Sequence, residues 1–225
     1  MPVRFYYATW SYVIPPMPSD PRLRTRTETG HDPKRAAKTS EFMLTLALAA
    51  ITMLFVGLTF AYTFGRKLSE NWESFSLPKL FWLSTILLLG CSYGLQRARD
   101  AFNKDEAHLL RRNLWMVMGL GVAFVVSQIV AWRQLAASGV GLISSPASGY
   151  LYVISWLHAA HVVVGLVVLG WTLRNTMRHT REPVHALLYF SDPVPKHRLQ
   201  LVSTYWHVVD GLWVYLFLFF LFFHS

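Results

Sequence analysis

Ser203-Thr204-Tyr205-Trp206-His207-Val208-Val209-Asp210-Gly211-Leu212-Trp213-Val214-Tyr215-Leu216-Phe217-Leu218-Phe219-Phe220-Leu221-Phe222-Phe223 is the stretch on which the reading of this chain turns. At about 1.5 Å of rise per residue, roughly 20 residues cross a hydrocarbon core of about 30 Å, and a helix satisfies every backbone group within lipid. Working outward, four more runs of similar length stand at roughly 42–64, 79–96, 114–132 and 150–173, each bounded by charges, Pro or Gly. The composition agrees: of 225 residues 53% are hydrophobic and only 15% charged, with a mean hydropathy of +0.33. A soluble domain carries about a quarter charged residues. The expected fold is therefore all-α, an integral membrane bundle of five helices. A single cysteine, Cys91, leaves no intramolecular disulfide or cysteine-based zinc site, and reads as a small packed hydrophobe.

The segment before the first span differs in kind. Pro15, Pro16, Pro18, Pro21 and Pro33, mixed with charged residues, cannot bury a core, so residues 1–40 read as an extended or disordered basic tail and 41–225 as the membrane domain. No short apolar run behind a charged start opens the sequence, so a cleaved secretory peptide is not expected. Lys and Arg then set the orientation. Sixteen of the 21 fall in the tail near the first span, the second-to-third connection and the fourth-to-fifth connection, against four on the opposite side. The N-terminus is thus placed in the cytoplasm and the C-terminus across the membrane. The net charge of +9 is a topology signal with some attraction to anionic lipid, and no basic soluble domain suggests nucleic acid.

Ionisable groups inside spans are costly, and few are present. His158 and His161 are three apart on the fourth span; His207 and Asp210 are three apart on the fifth. Rise places His161 and Asp210 within a few ångströms of the same depth. The plainest role is interhelical hydrogen bonding, each bond being worth about 0.6 kcal/mol. The alternatives are a metal or haem site, which would make the chain a small bis-His b-type cytochrome using His158, His161 and His207, and a proton relay or lipid-headgroup contact. Gln128 and Trp132, four apart on the third span, read as a packing pair with a polar handle. Trp82, Trp115, Trp132, Trp171 and Trp206 fit an aromatic belt, and Gly90 and Gly119-Leu120-Gly121 allow close helix approach. No phosphate loop, nucleophile elbow or His-Glu-x-x-His appears, and without an equal internal repeat a transporter or scaffold is the weaker alternative.

These residues carry a family likeness. Tyr205-Trp206-His207-Val208-Val209-Asp210-Gly211-Leu212-Trp213 resembles the Trp-His-Phe-Val-Asp-Val-Val-Trp signature in the last helix of subunit III of haem-copper respiratory oxidases. His158-Ala159-Ala160-His161-Val162-Val163-Val164-Gly165 resembles that family's His-Gly-Leu-His-Val-x-x-Gly. Leu77-Pro78-Lys79-Leu80-Phe81-Trp82-Leu83-Ser84-Thr85 is similar to its Leu-Pro-x-x-x-Trp-x-Asn-Thr, and Gln128 and Trp132 stand where it has a Gln and a Trp. The likeness runs over about residues 40 to 223.

The resemblance implies the short five-helix form of subunit III, of a cytochrome c or quinol oxidase, in a bacterial inner membrane. It implies a non-catalytic chain with no cofactor or metal of its own. Haem and copper belong to partner subunits of the complex, phospholipids bind in a cleft between helix groups, and the partners are catalytic subunit I, the other oxidase subunits and a larger respiratory supercomplex. Oxygen reduction to water, coupled to proton pumping, occurs next door. His158, His161, Trp206, His207, Asp210, Trp213, Gln128, Trp132 and Gln200 are the structural or lipid-contacting candidates. Departures are visible: Ile51 stands where the family has an intramembrane acid, Gln200 where it has Glu, and Gly211 where it has Val.

Overall fold

The computed structural model describes residues 33–68 and 80–224. They form α1 (Pro33–Leu68), α2 (Leu80–Asn103), α3 (Ala107–Ala137), α4 (Pro146–His179), α5 (Pro183–Ser191) and α6 (Pro193–His224), with no strand among the described residues. The chain divides into two compact units, 1–39 and 40–225, and the described part of the first is the opening of α1. Most of the tail, and the Leu77-Pro78-Lys79 portion of the second-span motif, lie outside the described residues.

Helix α1 starts at Pro33, well before the expected boundary at 42. Proline is pre-organised for the first helical position, and the Lys34-Arg35-Ala36-Ala37-Lys38 run that follows is made of good helix formers, so the helix carries on beyond the apolar run. The other helices overrun their apolar segments in the same way. Four of them, α1, α3, α4 and α6, are long and apolar enough to cross a membrane. Helix α2 forms over the expected segment, but Ser84, Thr85, Ser92, Gln96 and Arg97 dilute its apolar run.

Local chemistry sets the ends. Helix α4 opens on a capping box, with the Ser145 hydroxyl accepting from the Ser148 backbone N–H, the Ser148 hydroxyl accepting from the Ser145 backbone N–H, and Pro146 in the first turn. Between α2 and α3 the reversal is tight, with Asp105 at φ 57° and the Glu106 N–H donating to the Ala101 carbonyl. Aspartate is one of the few side chains that visits this left-handed region. The result is a hairpin in which α2 and α3 pack closely; a Cβ at Gly94 would stand 2.7 Å from Val117 Cγ2.

The core of the second unit lies among α2, α3, α4 and α6, with Leu88, Leu95, Leu114, Phe124, Leu151, Leu169, Trp206 and Trp213 buried. Helix α1 joins it mainly through side chains: Phe55 lies edge-on to His158 and His161, the Thr59 hydroxyl is 2.7 Å from the Tyr215 hydroxyl, and Tyr62 meets Phe219, Phe220 and Phe223. Its other face, with Phe42, Met53, Phe60 and Phe64, is exposed, as suits a helix whose solvent is hydrocarbon. Helix α5 was not foreseen. It is anchored by Tyr189, which sits against Phe102 and His179 with its hydroxyl 3.0 Å from that of Thr176. Burial pushes the Tyr189 phenol above its ordinary range, so it stays neutral.

Candidate functional site

The last helix carries its polar residues on the face that meets α2. The Ser92 hydroxyl donates to Asp210 Oδ2 at 2.5 Å and lies 3.0 Å from His207 Nδ1. A serine has one proton to give, so with that proton on Asp210 the His207 Nδ1–H donates to Ser92 Oγ, which fixes the tautomer. Ser92 thus ties together the two residues that stand three apart on α6. Asp210 is 2% exposed, and its Oδ1 has no hydrogen-bond partner among the described residues.

The two histidines of α4 do not join this group. His158 is fully buried, and among the described residues neither ring nitrogen has a hydrogen-bond partner. Its walls are aromatic: Phe55 and Phe124 edge-on, and Trp213 with ring centroids 5.0 Å apart. The His161 Nδ1–H donates to the Leu157 carbonyl at 2.7 Å, and the Tyr205 hydroxyl donates to the His161 carbonyl at 2.7 Å. One face of α4 therefore sends His158 and His161 into different surroundings. Among the described residues no group of three or more His, Cys, Asp or Glu is arranged to hold a metal ion.

A second polar line ties the far ends of the helices. The Gln128 Nε2–H donates to Ser84 Oγ at 2.9 Å, and the Ser84 and Ser127 hydroxyls lie 2.9 Å apart. The Trp132 Nε1–H donates to Ser155 Oγ at 3.0 Å, and the Trp213 Nε1–H to Thr85 Oγ1 at 3.2 Å. Gln128 and Trp132, one turn apart, thus reach different helices, α2 and α4. Trp206 is fully buried, wedged where both neighbouring helices have glycine: a Cβ at Gly121 would stand 3.2 Å from its ring, and one at Gly165 would stand 3.3 Å away. Gln200 lies at the rim, lining a recess with Arg99 and Glu41. Sequence reasoning did not single out the small hydroxyl partners. The available signal was the eight-residue spacing of Ser84 and Ser92, which puts both on one face of α2.

Chemically, this is an array of fasteners between helices. Ser92→Ala is expected to lower the unfolding free energy in detergent by about 1 to 3 kcal/mol, because it leaves a buried carboxylate without its donor; that exceeds the ~0.6 kcal/mol typical of one interhelical bond. Ser92→Thr keeps the hydroxyl and should recover most of the loss. Equal stability of Ser92→Ala and the parent in a denaturant titration would refute the assignment.

No family model matches the chain. Among curated proteins it is 28% identical over 179 residues to the cytochrome c oxidase subunit 3 of Thermostichus vulcanus, covering 77% of this chain and 82% of that one. It is 29% identical over 174 residues to the probable cytochrome c oxidase subunit 3 of Nocardia farcinica, with 76% and 81% covered. It is also 29% identical over 148 residues to the probable quinol oxidase subunit 3 of Staphylococcus saprophyticus, with 64% and 67% covered. These likenesses run in one direction and over most of the bundle: the chain is an integral membrane protein similar to subunit 3 of cytochrome c and quinol oxidases.

Proposed function

We propose that the chain is a five-span, non-catalytic subunit III of a proton-pumping haem-copper oxidase in a bacterial inner membrane, with its N-terminus in the cytoplasm. In this reading α2 is the fifth span, shielded by α3 and α6, which is why it tolerates polar residues. The basic residues of the α2–α3 turn and of the stretch joining α4 to α6 then share the cytoplasmic side. The chain packs beside subunit I, where haem and copper carry out the reduction of oxygen, within a complex that extends to other oxidase subunits and a respiratory supercomplex. It also holds phospholipid.

The observation that carries the reading is the engagement of the titratable groups of α6: His207 and Asp210 are bound to Ser92, a bond that joins helices. The test is purification of the full chain in mild detergent through a tag, with mass spectrometry of what accompanies it and a reduced-minus-oxidised spectrum. Oxidase subunits and their haem bands should come with it, and the bands should leave when those subunits are removed. Recovery of the chain without any oxidase subunit, or a bis-His haem spectrum from the chain by itself, would overturn the proposal.

A further inference from the structure

Near the turn that joins them, α2 and α3 flank a groove of about 690 Å³. Arg97 and Asp100 line it from α2, Arg112 and Asn113 from α3, and Lys104 and Glu106 from the connection. One wall is set in advance. The Arg97 Nε–H donates to the Tyr93 hydroxyl at 2.9 Å, and its guanidinium carbon lies 5.3 Å from the centre of the Tyr93 ring. The planar fork is thereby held in one place before anything binds, with its terminal nitrogens left to donate.

The group that points to an occupant is Asn113. It is 9% exposed and lines the groove, yet its side-chain amide has no hydrogen-bond partner among the described residues. A buried amide left unpaired costs more than a hydrogen bond formed gains, so it calls for a partner. An amide carries both N–H donors and a carbonyl acceptor, which is the complement of a main-chain peptide group.

Charge narrows the choice. Arg97, Lys104 and Arg112 are interspersed with Asp100 and Glu106, and none of the five has an ion-pair partner among the described residues. A phosphate drawn to the guanidinium groups would meet two carboxylates in the same groove, and a polycation would meet three cations. A polypeptide can bring an acid, a base and a peptide group within a few residues. The length agrees: Tyr93 to Asp100 on α2, and Leu109 to Met116 on α3, are each seven residues or about 10 Å of rise, which an extended chain spans with about three residues at ~3.3 Å each. Leu109 and Met116 give that span an apolar side.

We infer that the α2–α3 groove is the docking site for an extended segment of a different polypeptide, with a peptide group on Asn113, an acidic side chain at Arg97 and Arg112, and a basic one at Asp100. The inference rests on the proposed function only for the source of that polypeptide.

The test uses the full chain in its native membrane with a photoreactive probe, Met116→p-benzoylphenylalanine, and reads the adducts by mass spectrometry. They should fall within one stretch of about three to four residues of one other polypeptide, a stretch that carries both an acid and a base. Asn113→Leu removes no contact within the bundle and should lower the adduct yield by about fivefold, the effect of about one hydrogen bond. Asp100→Lys, at an exposed position, should also lower it, because it sets a cation against the base of the segment. The same probe at Val126, exposed on α3 away from the groove, should not mark that stretch. Adducts chiefly on phospholipid, on a second copy of this chain, or scattered as from Val126 would overturn the inference, and so would an unchanged yield in Asn113→Leu. If Asn113→Leu does not assemble, Asp100→Lys decides by the same yields. Failure of oxidase subunits to accompany the tagged chain sinks the subunit reading instead, and leaves the adduct comparison intact.

Discussion

Gly165→Leu is expected to be among the most damaging single substitutions in this protein. A Cβ at that position would lie 2.9 Å from Tyr205 Cε1 and 3.3 Å from Trp206 Cε2 and Cζ2, so the branched end of a leucine has to displace the α6 indole or push α6 from α4. Overpacking typically costs about 1 to 3 kcal/mol and occasionally more. Here the upper part of that range is expected, because the obstruction is two aromatic rings on one rigid helix and not the end of a flexible chain. In membrane helices small residues let backbones approach, and close packing supplies most of the association energy. Loss of the folded fraction in a denaturant titration in detergent, by at least tenfold at the parent midpoint, is the expected reading. An unchanged midpoint would mean that α4 and α6 do not meet as described.

Trp206→Ala attacks the same joint from the other side. The side chain is fully buried, with its ring against Gly121 and Gly165. Truncation of buried Trp costs about 3 to 5 kcal/mol in soluble proteins. Within a bilayer the transfer contribution shrinks, since lipid is as apolar as the core, so about 3 kcal/mol is expected. The two changes should not add. Leucine at 165 grows into the volume that alanine at 206 vacates, so the double variant is expected to be more stable than the sum of the singles predicts by about 1 to 2 kcal/mol. Strict additivity in the double-mutant cycle would show that the two positions do not touch.

How much of this was legible in the residues differs from place to place. Four of the five expected spans were readable because hydrocarbon imposes a length, and runs such as Ser203–Phe223 show it directly. The helix ends were not, since α1 and α6 continue well past their apolar runs through Pro33 and Pro193 on ordinary helix-forming residues. The short helix α5 carried too few turns to show a period. The polarity of α2 was in plain sight at Ser84, Thr85 and Ser92, but its meaning lay in residues distant along the chain: Gln128 and Ser127 on α3, and His207, Asp210 and Trp213 on α6.

The candidate residues themselves split along the same line. His207 and Asp210 could be paired from spacing alone, because three residues on a helix share a face. Spacing likewise puts His158 and His161 on one face, and both rings meet Phe55. A helix face about 100° wide takes in more than one neighbour, and beyond Phe55 the two rings part, His158 meeting Trp213 and His161 bonding its own backbone. The sequence marks Gly90, Gly119 and Gly121 as places of close approach without naming a partner, and Gly119 has none within 4 Å. That the Trp206 indole comes up against both Gly121 and Gly165, beside Leu166 at the one and Tyr205 at the other, depends on where α6 enters, which no local pattern encodes.

That indole also sets an order of events in biosynthesis. Its socket has one wall on α3 and the other on α4, and both leave the ribosome before α6 does. The Asp105 reversal joins α2 to α3 through residues close in sequence, whereas the glycine walls are covered by the helix that comes last in the described chain. The joint of three helices from different parts of the sequence therefore closes on a single late-made side chain.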